Sequence, residues 1–148
     1  MTNELTTSRN TDMGLLLLRV GVGLNIFIKH GLEKLTGYSR MMQHFSDPIH
    51  IGAHASLAFA FLSDGICTLL IVAGLFTRPA SAVVLINLLT AFFFVHHAAY
   101  LTNPHVELIM VYMIAVAAIL VMGPGKLSID ARTRKTRSME SPLHTSLP

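Results

Sequence analysis

The stretch ASLAFAFLSDGICTLLIVAGLF, residues 55–76, is predominantly apolar and carries one charged residue, Asp64. An α-helix needs about 20 apolar residues to cross the hydrocarbon core of a bilayer, and this stretch supplies them. A carboxylate in the middle of such a helix requires a partner or a proton, because an unpaired charge in apolar surroundings is costly. The stretch therefore predicts a transmembrane helix that carries part of a polar site.

Three more apolar segments of similar length accompany this one. The four predicted helices cover residues 13–35, 55–76, 79–100 and 106–122. Within lipid, backbone amides and carbonyls must be paired inside the segment, which leaves the helix as the natural form. We therefore predict an all-α membrane protein, a bundle of four transmembrane helices embedded in the lipid bilayer.

The composition agrees with a membrane protein. Of the 148 residues, 52% are hydrophobic and only 13% are charged, whereas about a quarter of the residues in soluble domains are charged. The one cysteine, Cys67, excludes an internal disulfide and any zinc or iron–sulfur site built from several cysteines. A single thiol of this kind is usually a small packing group.

The two ends of the chain differ in composition from its middle. We predict a polar arm at residues 1–12, a four-helix domain at residues 13–130 and a basic, disordered tail at residues 131–148. The tail has no aromatic residues among its basic ones and no folded binding module around it, so nucleic acid is not expected as a partner.

The distribution of basic residues predicts the orientation of the bundle. Four spans put both termini on one side, and that side holds Arg9, Arg78 and five basic residues after Pro124. The other side holds Arg40, with Lys34 at its edge. Since Lys and Arg concentrate in cytoplasmic flanks, both termini are expected in the cytoplasm.

Several polar residues of the first helix fall on one face. With 3.6 residues per turn, this face holds Arg19, Gly23, His30, Glu33 and Lys34. Asn25 and Lys29 lie to the side of it. A charge that faces lipid at mid-depth costs about 2.5 to 3.5 kcal/mol on insertion scales, so the face is expected to point into the bundle. It predicts one wall of a polar site.

Polar residues from three helices are expected in one layer near the outer end of the bundle. The layer consists of His30, Glu33, Lys34, His96, His97 and Glu107. On the third helix His97 shares a side with Asn87, so His97 rather than His96 is predicted to point inward.

Asp64 lies deeper, near the middle of the second helix. By depth, His30 or Lys29 is the nearest candidate for its charged partner. Asn87 lies at a similar depth on the third helix and can donate a hydrogen bond to the carboxylate.

Each of these residues also has a purely structural interpretation. Lys34 can extend to the lipid headgroups as an interfacial lysine, and Glu107 can satisfy free amides at the start of the fourth helix. A hydrogen-bonded Asp64 can serve only to specify the packing of the bundle. An acid inside a membrane helix nevertheless marks a functional site by default.

Several sequence motifs resemble those of a known family. The first helix ends in KHGLEKL, the second contains a central acid, and the turn after it is GLFTRPAS. The third helix contains NLLTAFFFVHH, a glutamate opens the fourth, and GPGKLSIDA follows. From Leu15 to Ala131 the chain resembles the DoxX family of small four-helix membrane proteins. Members of that family more often have glutamate at the position of Asp64.

The resemblance implies a location and a biochemical context. DoxX proteins are expected as multi-pass proteins of the bacterial-type cytoplasmic (inner) membrane. The family is associated with a quinone-linked terminal oxidase and thiosulfate oxidation, and some members with oxidative-stress membrane complexes. By resemblance, the chain is predicted to be an accessory subunit of such a redox complex and, if catalytic, a quinone-linked oxidoreductase subunit.

A quinone is the cofactor predicted from these residues together with the resemblance. Quinone carbonyls accept hydrogen bonds, and quinone redox chemistry moves protons with electrons. The predicted catalytic residues are His30, Asp64 and Glu107. The predicted cofactor-binding residues are His30, Lys34, Asn87 and His97. The sequence shows no redox centre, so electrons would pass to or from a membrane or membrane-associated redox protein as partner.

Three other functions stay open on the sequence alone. His30 and His97, at matched depth, are compatible with bis-histidine ligation of a haem. A non-catalytic adaptor or assembly factor would use the polar face for packing or for docking a partner. A small-molecule carrier is the third, although the sequence has no inverted repeat pair and no broken helices.

Overall fold

The protein is helical throughout the part of the chain that the structure describes. A computed structural model describes residues 2–42, 45, 47, 48, 50–97 and 104–140, and within these ranges there is no β-strand. Among the described residues, four helices are long and apolar enough to cross a membrane. They cover Arg9–Met41, Ala53–Ala73, Thr77–Val95 and His105–Met122, and are called spans 1 to 4 below. The predicted four-helix membrane fold is thereby confirmed.

Span 1 belongs to a helix that is longer than the predicted 13–35. It consists of an α-helix at Thr2–Ile26, a π-helical turn at Phe27–Gly31 and an α-helix at Leu32–Met41. Hydropathy marks only the part of a helix that suits the membrane, and no proline interrupts the chain on either side of it. Residues 2–12, predicted as a polar arm, therefore continue the same helix.

Spans 2 and 3 are joined by a tight turn. Span 2 is built from Ala53–Phe61, a π-helical segment at Leu62–Cys67 and Thr68–Ala73. It ends at Gly74, whose left-handed φ of 70° is a conformation that glycine adopts without a steric penalty.

Span 3 consists of Thr77–Thr90 and a π-helical turn at Ala91–Val95. It begins two residues before the predicted start, because Asp130 accepts hydrogen bonds from the amides of Phe76 and Thr77. Residues 98–100 of the predicted third helix lie outside the described residues.

The fourth helix is followed by a further, short helix. Span 4 belongs to the α-helix Pro104–Met122, which ends at Gly123 with a φ of 81°. The helix Ile129–Glu140 then occupies a region predicted as disordered. Ser128 starts it as an N-cap, since its hydroxyl accepts the Ala131 amide at 3.1 Å. Residues 141–148 of the predicted tail lie outside the described part of the chain.

The core and the outer surface of the bundle are both apolar. Fully buried aliphatic side chains from all four spans form the core, among them Ile26, Ile71, Val84, Val116 and Ile119. Large apolar side chains also face outward, for example Leu17, Ile114 and Val121, which is 77% exposed. Such a surface is unfavourable in water and natural in lipid, which agrees with the four membrane spans.

A polar cluster ties the segment after span 4 to the end of span 2. Arg19 is 1% exposed and donates to the carbonyls of Leu127 at 2.8 Å and Ile71 at 3.5 Å. The Asp130 amide donates to the Gly74 carbonyl at 2.9 Å. The GLFTRP turn and the GPGKLSID segment are thus in direct contact. The cluster closes the end of the bundle that lies away from the site described next.

Candidate functional site

A cavity of about 450 Å³ lies among the four spans and the connection between spans 1 and 2. Most of its wall is apolar, and a few polar side chains interrupt it. The lining residues are Ile26, His30, Lys34, Met41, Phe45, Pro48, Ile51, Ser56, Phe59, Ala60, Asp64, Asn87, Leu88, Thr90, Ala91, Val95, His96, Ile109 and Tyr112. Typical ligand sites have volumes of about 300 to 1,000 Å³ and this same mixture of walls.

A buried ion pair between spans 1 and 2 forms part of the cavity wall. The ammonium of Lys34 lies 2.8 Å from Oδ2 of Asp64, and the two residues are 8% and 5% exposed. Lys34 also donates to the His30 carbonyl at 3.3 Å. The interfacial alternative for Lys34 is therefore wrong, because its charged end is inside the protein.

Depth along the helix predicted the wrong partner for Asp64. His30 and Lys29 were nearest by position of the backbone, but Lys29 is exposed and Lys34 makes the pair. Side chains on a helix point back toward its N-terminus. The long lysine chain therefore reaches about one turn deeper than its Cα position indicates.

The carboxylate of Asp64 accepts hydrogen bonds from three side chains. Besides Lys34, the amide of Asn87 donates to Oδ1 at 2.9 Å and the hydroxyl of Ser63 at 3.2 Å. The predicted bond from Asn87 is confirmed. Three donors from spans 1, 2 and 3 stabilise the ionised form of a buried carboxylate. Asp64 thus links three helices and fixes the position of Lys34.

Three π-helical segments in the described part of the chain meet at this cavity. His30 of Phe27–Gly31 and Asp64 of Leu62–Cys67 line the cavity. Ala91 and Val95, the two ends of the third segment, line it as well. A π-turn adds about one residue to a helical turn and is frequent at functional sites. Every residue after such a turn is rotated relative to a regular α-helix.

This rotation explains which residues of the predicted polar face point inward. Arg19, Gly23 and Lys34 are buried, and His30, although exposed, lines the cavity. Glu33 is exposed and does not line it. Beyond the π-turn the wall continues at Lys34 rather than at its neighbour, because a regular helical period does not apply across the turn.

The predicted orientation of the two adjacent histidines is reversed in the structure. His96 lines the cavity, whereas His97 is exposed and lies outside it. The helix ends at Val95, and His97 has a φ of 51°, which no helix residue adopts. A helical wheel therefore could not place it. His30 and His97 do not face each other across the cavity, as bis-histidine haem ligation would require.

Glu107 does not belong to the cavity either. It lies in the first turn of the fourth helix, is exposed, and is not among the lining residues. A carboxylate in that position interacts favourably with the helix N-terminus. The structure does not bring Glu107 together with His30 and Asp64, and the alternative at the helix start agrees with its position.

Several lining residues were not predicted from the sequence. Tyr112 is 7% exposed, and its hydroxyl donates to the side-chain oxygen of Asn25 at 2.6 Å. Thr90 lines the same space and donates to the Ile86 carbonyl at 2.9 Å. The signal available for Tyr112 was its polar group inside span 4, which needs a hydrogen-bond partner when it is buried.

The connection between spans 1 and 2 covers one side of the cavity. Phe45, Pro48 and Ile51 line it, and Asp47 fixes the start of span 2. The Asp47 carboxylate accepts the Gly52 amide at 2.7 Å, the Ser56 hydroxyl at 2.8 Å and the Ile51 amide at 3.1 Å.

The ionisation of Asp47 follows from these contacts. Desolvation acts to raise the pKa of Asp47, but the hydrogen bonds outweigh it and hold the pKa below its ordinary value of 3.8. Asp47 is therefore ionised at neutral pH, which is the form in which it accepts these three bonds.

The arrangement suits a small ligand with hydrogen-bond acceptors. Lys34, His30 and His96 offer N–H donors, and the remaining walls are apolar. Within the described residues, no group of three or more His, Cys, Asp or Glu side chains is placed to hold a metal ion. The N–H donors and apolar walls together make the cavity a candidate site for an organic molecule.

The comparison with known families agrees with the fold. A family model described as DoxX matches residues 14–97, which is more than half of the chain. The match includes spans 2 and 3 and almost all of span 1, and with them His30, Lys34, Asp64, Asn87 and His96. Span 4, with Glu107 and Tyr112, lies beyond it. Neither the curated proteins nor the solved structures gave a match. The chain belongs to the DoxX family of membrane proteins.

Proposed function

We propose that the cavity binds the head group of a quinone and that the protein is an accessory subunit of a quinone-linked redox or oxidative-stress complex. The observation that carries the proposal is the buried Lys34–Asp64 pair in the wall of a largely apolar cavity. A flat apolar ring with carbonyl oxygens needs this combination of an apolar slot and a few fixed donors.

The residues present fit such a ring. The volume of about 450 Å³ lies within the range of small-molecule sites. Ile26, Leu88 and Ile109 provide apolar walls from three spans. Lys34 and His30 from span 1 and His96 after span 3 supply donors for carbonyl oxygens.

The roles of the polar residues follow from their bonds. A bound quinone would supply two-electron, two-proton chemistry. Asp64 holds Lys34 in place, since its carboxylate accepts from Lys34, Asn87 and Ser63. His30 and His96 carry imidazole nitrogens that can donate or accept a hydrogen bond at the ring. The proposed partner is a membrane or membrane-associated redox protein that exchanges the electrons.

Binding by purified protein tests the proposal. We expect full-length protein in a mild detergent to bind menadione, a small neutral naphthoquinone, in equilibrium dialysis. His30→Ala and His96→Ala should each weaken binding about tenfold, the effect of losing roughly one hydrogen bond to a charged or polar ligand atom.

The adjacent residue provides a matched control. His97→Ala removes the same side chain one position along the chain but outside the cavity, and should leave binding unchanged. Absence of menadione binding, or equal effects at His96 and His97, would contradict the proposal. In the first case a non-catalytic adaptor or assembly factor would become the better interpretation.

We further propose a cytoplasmic-membrane location with both termini in the cytoplasm. The basic side chains Arg78, Arg132, Arg134 and Lys135 are exposed and lie near the end of the bundle closed by Arg19. Basic residues concentrate on the cytoplasmic side of membrane proteins. Reporter fusions at residue 148 should be active only with a cytoplasmic reporter, and activity of a periplasmic reporter there would refute this orientation.

A further inference from the structure

We propose that the cavity selects a ring ligand with an ionised oxygen over the same ring without one. The inference rests on the quinone head-group proposal and narrows it to a substrate class, an acidic hydroxyquinone or another ring that carries an oxygen anion. Three features of the cavity support this selection: the hydrogen bonds of Lys34, the hydrogen bonds of Asp64 and the charges of the other lining residues.

Lys34 retains a donor for the ligand. An ammonium group has three N–H bonds. One donates to Asp64 at 2.8 Å and one to the His30 carbonyl at 3.3 Å. This leaves one N–H without an acceptor among the described residues, on a side chain that lines the cavity. A charge-assisted hydrogen bond to an anionic oxygen is about twice as strong as one between neutral groups.

Asp64 does not oppose an anion as strongly as an isolated carboxylate would. Its charge is stabilised by three donors, from Lys34, Asn87 and Ser63. Asp64 is also the single carboxylic acid among the described residues that line the cavity. The sequence also placed Glu33 and Glu107 near this site. Both are exposed and lie outside the cavity.

The remaining titratable groups of the cavity are bases or weak acids. His30 comes from span 1, His96 from the end of span 3 and Tyr112 from span 4. Either imidazole offers an N–H donor to an oxygen of the ligand. The cavity therefore offers an anionic oxygen several donors, and its one carboxylate already accepts three hydrogen bonds.

Two naphthoquinones of nearly equal size test the inference. Menadione carries a methyl group where 2-hydroxy-1,4-naphthoquinone carries a hydroxyl that ionises below neutral pH. We expect wild-type protein in detergent at pH 7.5 to bind the hydroxy compound about tenfold more tightly, as one charge-assisted hydrogen bond provides. Binding should also lower the apparent pKa of the ligand, read from the visible absorption of its anion.

Variants locate the preference within the cavity. In Lys34→Gln combined with Asp64→Asn, both charges are removed while hydrogen-bonding groups stay, and the affinity ratio of the two ligands should fall to about threefold or less. Lys29→Gln removes an exposed lysine of the same helix and should leave the ratio unchanged. The ligand pKa shift is measured on wild-type protein, so it does not depend on how well the double variant folds.

The outcomes separate this inference from the proposal on which it rests. If neither compound binds, the quinone proposal itself fails. If menadione binds and the hydroxy compound binds no more tightly, or its pKa does not fall, the selection of an anionic oxygen is refuted and the quinone proposal stands.

Discussion

At the scale of single residues, the decisive interaction is the ion pair between Lys34 and Asp64. Both side chains are nearly inaccessible, and their charged atoms lie 2.8 Å apart. A buried pair of this kind is costly to break from one side, because the remaining charge is left unpaired. Lys34 therefore compensates the charge of Asp64, a role that unfolding measurements test separately from ligand binding.

Lys34→Met should destabilise the protein by about 3 to 5 kcal/mol, because it leaves the Asp64 carboxylate buried without its cation. Adding Asp64→Asn removes that charge and should restore most of the loss. Thermal or chemical unfolding in detergent micelles measures both. Lys29→Met, at an exposed position of the same helix, should change stability by roughly 0.5 kcal/mol or less. Additive effects of the two site substitutions would show that the residues are not coupled.

At the scale of helices, the cavity exists where regular α-helical geometry is interrupted. Spans 1 and 2 approach each other closely at their π-helical segments, where Gly31 lies against the backbone carbonyl of Asp64. A Cβ atom at Gly31 would collide with that carbonyl and with the Phe27 ring. This contact fixes the depth at which Lys34 meets its partner.

Gly31→Ala should therefore separate spans 1 and 2 at the cavity, lower the unfolding temperature and weaken menadione binding. Overpacking of this kind costs typically about 1 to 3 kcal/mol. Gly21→Ala is the matched control, because a Cβ there meets no atom within 4 Å and alanine is the better helix former by about 0.5 to 1 kcal/mol. A Gly31→Ala protein as stable as the Gly21→Ala protein would contradict the close approach.

At the scale of the whole molecule, contacts distant in sequence connect the last segment to the bundle. Asp130 accepts bonds from Phe76 and Thr77, and Arg19 donates to Leu127 and Ile71. Desolvation acts to raise the pKa of Asp130. It is outweighed by the hydrogen bonds from the Thr77 and Phe76 amides and the Thr77 hydroxyl, together with the charge of Arg134. The pKa of Asp130 is therefore held below its ordinary value of 3.8. The folded state thus favours ionised Asp130.

The sign of the resulting pH dependence follows from linkage. Because the pKa of Asp130 is lower in the folded state, its contribution to stability is present above pH 3.8 and is lost as the pH falls through the lowered value. Asp130→Asn should cost about 1 to 3 kcal/mol at pH 7, because its NH2 group replaces an acceptor oxygen and leaves a donor of Phe76 or Thr77 unsatisfied. The difference from wild type should shrink in acid unfolding measurements, whereas Glu33→Gln, at an exposed position away from this cluster, should show no such loss at pH 7. A difference independent of pH would refute the capping role.

The sequence by itself determined the four membrane helices and the polar residues of span 1, and it offered Asn87 as a hydrogen-bond donor for Asp64. These follow from hydropathy, length and the high cost of an unpaired acid in lipid, which are local properties of the chain. Only the tertiary structure decided that Lys34 pairs with Asp64, that His96 faces the cavity and that Glu107 does not. The reason is geometric: π-helical turns shift the helical register and a long side chain reaches a turn beyond its backbone, and neither effect is encoded in a regular period of 3.6 residues.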